Sequence, residues 1–199
     1  MIGHIFGLMR DPVTEWKRLA AEPESTFLRS LVLFLFLALI PPIGFFIGTT
    51  QTGWTIIGDE PVKITTASAI PLTVLFYLAI VGGVIFIGLM MDWMSKTYDA
   101  DSSPYKDVVF VFYTATPIFL CGLFAIYPIW WIDILLATAA CSYSIRLLYL
   151  GVPDMLKVPE ERGFLYASAA FMMALVYMVV VLAATVILWE FVAAPVFTN

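Results

Sequence analysis

Three ionisable residues stand at the margins of long apolar runs: Asp92, Asp107 and Arg146. A charge facing hydrocarbon is costly unless it is paired or reaches the headgroups. Two carboxylates and a guanidinium at one margin therefore suit an intramembrane ion pair, with snorkelling of Arg146 as the competing reading. A second polar set borders or interrupts the runs. "IGTTQTGW", residues 47–54, places Thr49, Thr50, Gln51 and Trp54 at the exit of one run, and "FYTATPIFLCG", residues 112–122, places Thr114 and Thr116 beside Pro117. Proline within a helix removes one backbone hydrogen bond, and threonine hydroxyls can take up freed groups. Brought together, these residues would line a small polar pocket between the first and third spans. Taken singly, they are a helix exit with an interfacial tryptophan, and a kink.

Other chemistry is poorly supplied. His4 is the single histidine, without a carboxylate at helical spacing, which argues against a metal site. The sequence holds no phosphate-binding loop, nucleophile elbow, HExxH, CxxC or dinucleotide fingerprint. We therefore expect no catalytic residues, no cofactor and no enzyme. Cys121 and Cys141 both lie inside apolar runs, at different depths, and are expected as unpaired thiols.

The elements that must carry these residues are set by composition. Hydrophobic residues make up 62% of the 199 and charged residues 13%, against about 25% charged in a soluble domain. Runs at 30–48, 69–91 and 164–189 are each long enough to cross a bilayer. Residues 108–150 hold only Asp133 and Arg146 as charges; as one helix they would reach about 65 Å, so they must fold back. Pro128, Tyr127, Trp130 and Trp131 place that break near 121–131. "LYLGVP", residues 148–153, reads as a helix stop at Gly151. The expectation is an all-α polytopic bundle of five spans, about 28–48, 69–94, 107–125, 129–150 and 164–190. It is preceded by a soluble segment, 1–26, so that 27–199 form the transmembrane domain.

Nine of the ten lysines and arginines fall on one side of this topology, and only Lys63 on the other. Positive residues mark the cytoplasmic side, which predicts N-terminus in and C-terminus out. Net charge is −5 with no basic patch to suggest nucleic acid. Within 1–26, Ile2, Ile5, Phe6 and Met9 have helical spacing, and Asp11 with Pro12 opens a second short helix bearing Val13, Trp16 and Leu19 on one face, Lys17 and Arg18 off it. This reads as an amphipathic piece on the inner membrane surface. Ile5, Phe6, Trp16, Lys17 and Arg18 are its candidate membrane or partner surface. Gly44 and Gly48, like Ala170 and Ala174, have the spacing of close helix contacts.

A cytoplasmic "DP…EW..LAAE" helix followed by five spans with short loops resembles the Yip (Ypt-interacting protein) domain superfamily. "FIGTTQTGW", "LTVLFY", "YTATPIFLCGLFAIYP" and "LYLGVP" resemble its bacterial YohC-like inner-membrane branch, over Gly7 to Trp189. The resemblance implies a five-span fold and the bacterial inner membrane. Eukaryotic members bind Rab-type GTPases in vesicle trafficking, but their "DLYGPLW" and "GYS…P" motifs are not recognisable here. The function expected is a non-enzymatic adaptor or organiser whose partners are membrane lipids, membrane or cytoplasmic proteins, or further copies of itself as a homo-oligomer. The alternative is a small-solute or ion transporter or channel using the Thr49–Gln51 and Thr114–Pro117 pocket.

Overall fold

A computed structural model of the chain describes residues 2–55, 60–191 and 194–198. Two short helices, α1 (Ile2–Arg10) and α2 (Pro12–Ala20), precede a bundle. The bundle comprises α3 (Glu24–Leu37), α4 (Ile40–Ile47), α5 (Thr66–Tyr98), α6 (Pro104–Cys121), α7 (Trp130–Leu156) and α8 (Glu160–Phe191). Five helical stretches are long and apolar enough to span a membrane: Ser25–Thr52, Thr66–Tyr98, Pro104–Ile126, Trp130–Leu156 and Glu161–Glu190.

Helix α6 lies at the centre, packed on α3, α5 and α7; α8 closes the bundle against α5 and α7. The core is aromatic on the α6 side, with Phe110, Phe112, Tyr113 and Phe119 all buried. Tyrosines stitch the helices through backbone carbonyls. Tyr166 of α8 donates to the Met91 carbonyl and Tyr177 to the Ala79 carbonyl, each across 2.7 Å.

The first spanning stretch is jointed rather than straight. Pro41 and Pro42 have no amide hydrogen to donate, and the helix breaks just before them, with the Leu39 amide turning back to the Phe36 carbonyl. The third stretch tightens at its end into a 3-10 turn, Gly122–Ile126, and the chain reverses through Tyr127–Ile129, within the break the sequence predicts. Glycines let these jointed parts meet. A Cβ on Gly44 would collide with the Gly122 carbonyl, one on Gly48 with the Ala125 carbonyl, and one on Gly122 with Pro41. The Gly44–Gly48 spacing thus serves contact within the chain.

The helix stop expected at Gly151 is not there. Helix α7 runs through Gly151 and Pro153 to Leu156, and ends at Lys157 with a left-handed φ of 50°. Gly151 is kept small by a neighbour: a Cβ would lie 2.5 Å from Phe110 Cε2 and 2.6 Å from Trp16 Cε2. At the opposite end of the bundle, Lys63–Ile64 (β1) and Phe197–Thr198 (β2) pair antiparallel. The bound tail is a feature that hydropathy does not signal.

Candidate functional site

The most elaborated surface is the corner where α1 and α2 lie on α6 and α7. Asp11 caps α2, its Oδ1 accepting from the Thr14 amide at 3.3 Å, with Pro12 at the first helical position. That turn sets α1 and α2 back to back and drives Ile5, Leu8, Trp16 and Leu19 into the bundle core. The Trp16 and Phe110 rings stand 5.0 Å apart. Tyr143 of α7 donates to the Leu8 carbonyl at 2.8 Å. Glu15 is buried and compensated: its Oε1 lies 2.5 Å from His4 Nδ1, and Arg18 Nη1 donates to its Oε2 at 3.3 Å. His4 Nε2 meets Glu22 Oε1 at 2.8 Å. The two carboxylates approach opposite nitrogens of one ring, so they clasp the imidazole rather than converge on a point. The sequence reading missed this clasp because its partners are 11 and 18 residues from His4; the readable trace is Gly7, where a Cβ would collide with the Glu15 carboxylate.

Of the five residues expected on the membrane or partner surface, Ile5 and Trp16 are therefore taken by the protein's own core, while Phe6, Lys17 and Arg18 face outward. The expected stripe splits as well. Ile5 joins Leu8 inside, and Ile2, Phe6 and Met9 stay exposed, Phe6 at 71%.

A second cluster ties the connections at this same end. Ser102 hydrogen-bonds to both Asp92 and Asp107, so the two carboxylates at the span margins do come together, through a serine. Asp107 is fully buried and its Oδ1 has no hydrogen-bond partner. Arg146 does not join them. It is exposed, with its guanidinium 5.7 Å over the Tyr143 ring. The expected triad is thus a carboxylate pair plus a separate arginine. Outside the spans, Lys157 donates to Asp101 at 2.7 Å, Lys106 stands 3.4 Å from the same carboxylate, and Arg162 pairs with Asp99. The Lys157 hydrogen bond, then the Lys106 charge, holds the Asp101 carboxyl below its ordinary value.

The polar residues of the opposite half are spread over two elements. Thr49 and Thr50 donate to the Phe45 and Phe46 carbonyls of their own helix, at 2.8 and 2.6 Å. Residues Gly48–Thr52 form a π-helical turn that ends at Gly53, φ 77°, and Gln51 is exposed. Trp54 bridges to Val62 and meets the Phe197 ring edge-on. On α6, Pro117 is buried, Thr116 donates to the Phe112 carbonyl at 3.1 Å, and the buried Thr114 hydroxyl has no partner. The structure links the two elements at one polar point, where Thr52 donates to the Ile126 carbonyl at 2.8 Å. Two apolar cavities lie elsewhere, of about 410 Å³ between α4, α5 and α8 and about 430 Å³ between α3, α5 and α6. Cys121 and Cys141 are free thiols.

Comparison with known proteins agrees with this architecture. The Yip1 domain family matches residues 6–183. The inner membrane protein YohC of Escherichia coli (strain K12) is 36% identical over 190 residues, covering 96% of this chain and 97% of that protein. The protein of the same name from Escherichia coli O6:H1 (strain CFT073) matches to the same extent. No solved structure matches the chain. The matched region takes in the α1–α2 corner from Phe6 onward together with the spanning helices, and on that ground the chain belongs to the Yip1 domain family of membrane proteins.

Proposed function

We propose that this chain is a non-enzymatic integral protein of the bacterial inner membrane, with its N-terminus on the cytoplasmic face. In this reading it acts as an adaptor or organiser, binding lipids or other membrane proteins, as a homo-oligomer. The observation that supports it is the α1–α2 platform. Trp16 and Leu8 fix it to the bundle, while Phe6, Arg10 and Lys17 remain exposed. A surface held rigid by its own core binds without first paying to order itself.

Deleting residues 1–22 would remove Trp16 from the core, so the test uses outward-facing substitutions. The protein is cross-linked in intact membranes, released gently and weighed by native mass spectrometry. The expected result is an assembly larger than one chain that Phe6→Gln with Lys17→Glu disrupts. A single chain for parent and variant alike overturns the reading.

A second reading, a small-solute or ion pathway between the first and third spans, draws support from the unpartnered buried hydroxyl of Thr114. Liposome flux that ignores Thr114→Val and Gln51→Leu would argue against it.

A further inference from the structure

The depth of α1 is fixed by its partners on the spanning helices. Tyr143 lies three residues before Arg146 on α7, on the apolar side of that charge, and its hydroxyl reaches the Leu8 carbonyl at 2.8 Å and the Met9 carbonyl at 3.3 Å. The His4 ring stands edge-on to Tyr113, with centroids 6.2 Å apart. Tyr113 is nine residues into α6, about 14 Å from its start. Helix α1 therefore lies alongside the spanning segments, at the depth where their apolar stretches begin.

At that depth its outward face is apolar. Ile2, Phe6 and Met9 fall on one stripe, about a quarter turn around α1 from the docked Ile5 and Leu8, and are exposed. On the flank of α7 that carries Arg146, Leu135 is exposed too. Two arginines close the stripe. Arg10 follows Met9 directly, and the Arg146 guanidinium lies over the same Tyr143 ring whose hydroxyl holds Leu8 and Met9. Both are exposed, and among the described residues neither has an ion-pair partner. The neighbouring Asp11 is engaged as the α2 cap.

We propose that this corner, where α1 meets α7, binds an anionic phospholipid of the surrounding leaflet, its headgroup phosphate between Arg10 and Arg146 and its acyl chain along Phe6 and Met9. Guanidinium matches phosphate in geometry and charge. Two cations against the single carboxylate of Asp11, itself turned to the Thr14 amide, favour a net negative headgroup over a zwitterionic one, whose ammonium they would repel. The exposed apolar residues beside both arginines, Phe6 and Met9 on α1 and Leu135 on the Arg146 flank of α7, argue for a lipid rather than a soluble anion.

The inference rests on the lipid-binding part of the reading above and names the lipid class. The two fail separately. A single chain that retains anionic lipid upholds this site and overturns assembly, and an assembly without lipid preference does the reverse.

The test is native mass spectrometry of the full chain exchanged into equal phosphatidylglycerol and phosphatidylcholine. Preferential retention of phosphatidylglycerol is expected, falling about fivefold for each of Arg10→Gln and Arg146→Gln, and unchanged by Lys63→Gln at the opposite end. Equal retention of the two lipids, or loss on Lys63→Gln alone, overturns it. Displacement of the lipid by millimolar inorganic phosphate would show a soluble-anion site and overturns it as well. A photoactivatable phosphatidylglycerol tests the location without any variant: labelling of the peptides holding Met9–Arg10 and Tyr143–Arg146 is expected, and labelling confined to other helices overturns the assignment.

Discussion

Trp16 on α2 occupies the space that a side chain on Gly151 of α7 would need, with the missing Cβ only 2.6 Å from the indole Cε2. The two positions therefore constrain one another. Trp16→Ala should destabilise the protein by about 3–5 kcal/mol, as for a large buried aromatic. Gly151→Val should cost about 1–3 kcal/mol by overpacking. In the double variant the valine fills part of the space left by the indole, so the combined loss should be smaller than the sum. Thermal unfolding in detergent, followed by circular dichroism, measures all three; strict additivity would contradict the packing.

Adjacent glycines on α5 make a sharper contrast. A Cβ on Gly83 would lie 2.6 Å from Tyr177 Cε1, whereas one on Gly82 would meet only the Tyr177 hydroxyl, at 3.4 Å. Gly83→Ala should lower the unfolding midpoint. Gly82→Ala should leave it unchanged or raise it, since alanine is favoured over glycine in a helix by about 1 kcal/mol. A loss of equal size at both positions would mean that Tyr177 does not sit against α5 as described.

Asp107 tests what the buried carboxylate contributes. It is fully buried, one oxygen is without a partner, and Ser102 has a single proton to share between it and Asp92. Asp107→Asn keeps the shape, removes a like charge and supplies a donor. Its unfolding midpoint at neutral pH should match or exceed the parent's. A loss above about 1 kcal/mol would mean that the oxygen without a partner here has a favourable one in the membrane.

The Asp101–Lys157 pair sets an acid dependence. The folded carboxyl is held below its ordinary value, chiefly by the Lys157 hydrogen bond. The stabilisation is therefore fully present above the unfolded pKa, about 4, and is lost as pH falls through the depressed folded value. Both groups are well exposed, so the effect should be small. Lys157→Gln should narrow the stability difference between neutral and acid pH and leave the rest of the profile intact. An unchanged profile would count against the pair.

The five long apolar helices and the 121–131 reversal were legible because hydrophobic run length and proline position are local signals. The Asp11–Pro12 helix start was legible for the same reason. Gly151–Pro153 misled because local stop chemistry was outweighed by tertiary packing: Trp16, 135 residues earlier, needs that glycine inside a continuing helix. The split of the α1 stripe was unreadable too, since spacing shows that Ile2, Ile5, Phe6 and Met9 share a side but not which of them meets Tyr143 and the core. The distant partners of His4 and the carboxylate-bridging role of Ser102 likewise depend on which helices become neighbours. Arg146 was assigned by its level in the membrane, and level does not say which way a side chain points around the helix.

The jointed first and third spans carry a mechanical consequence. Helices α5, α7 and α8 are unbroken struts; α5 alone, at 33 residues, is about 50 Å long. The other two are each interrupted, at Ala38–Leu39 and at Cys121–Gly122, and their far segments are locked together by glycine-to-carbonyl contacts. Stiffness is thus distributed unequally around the bundle. A load applied to the α1–α2 corner meets the unbroken α7 first and is carried toward the far face as along a rigid column, whereas the part passed on to α6 reaches a joint before that face.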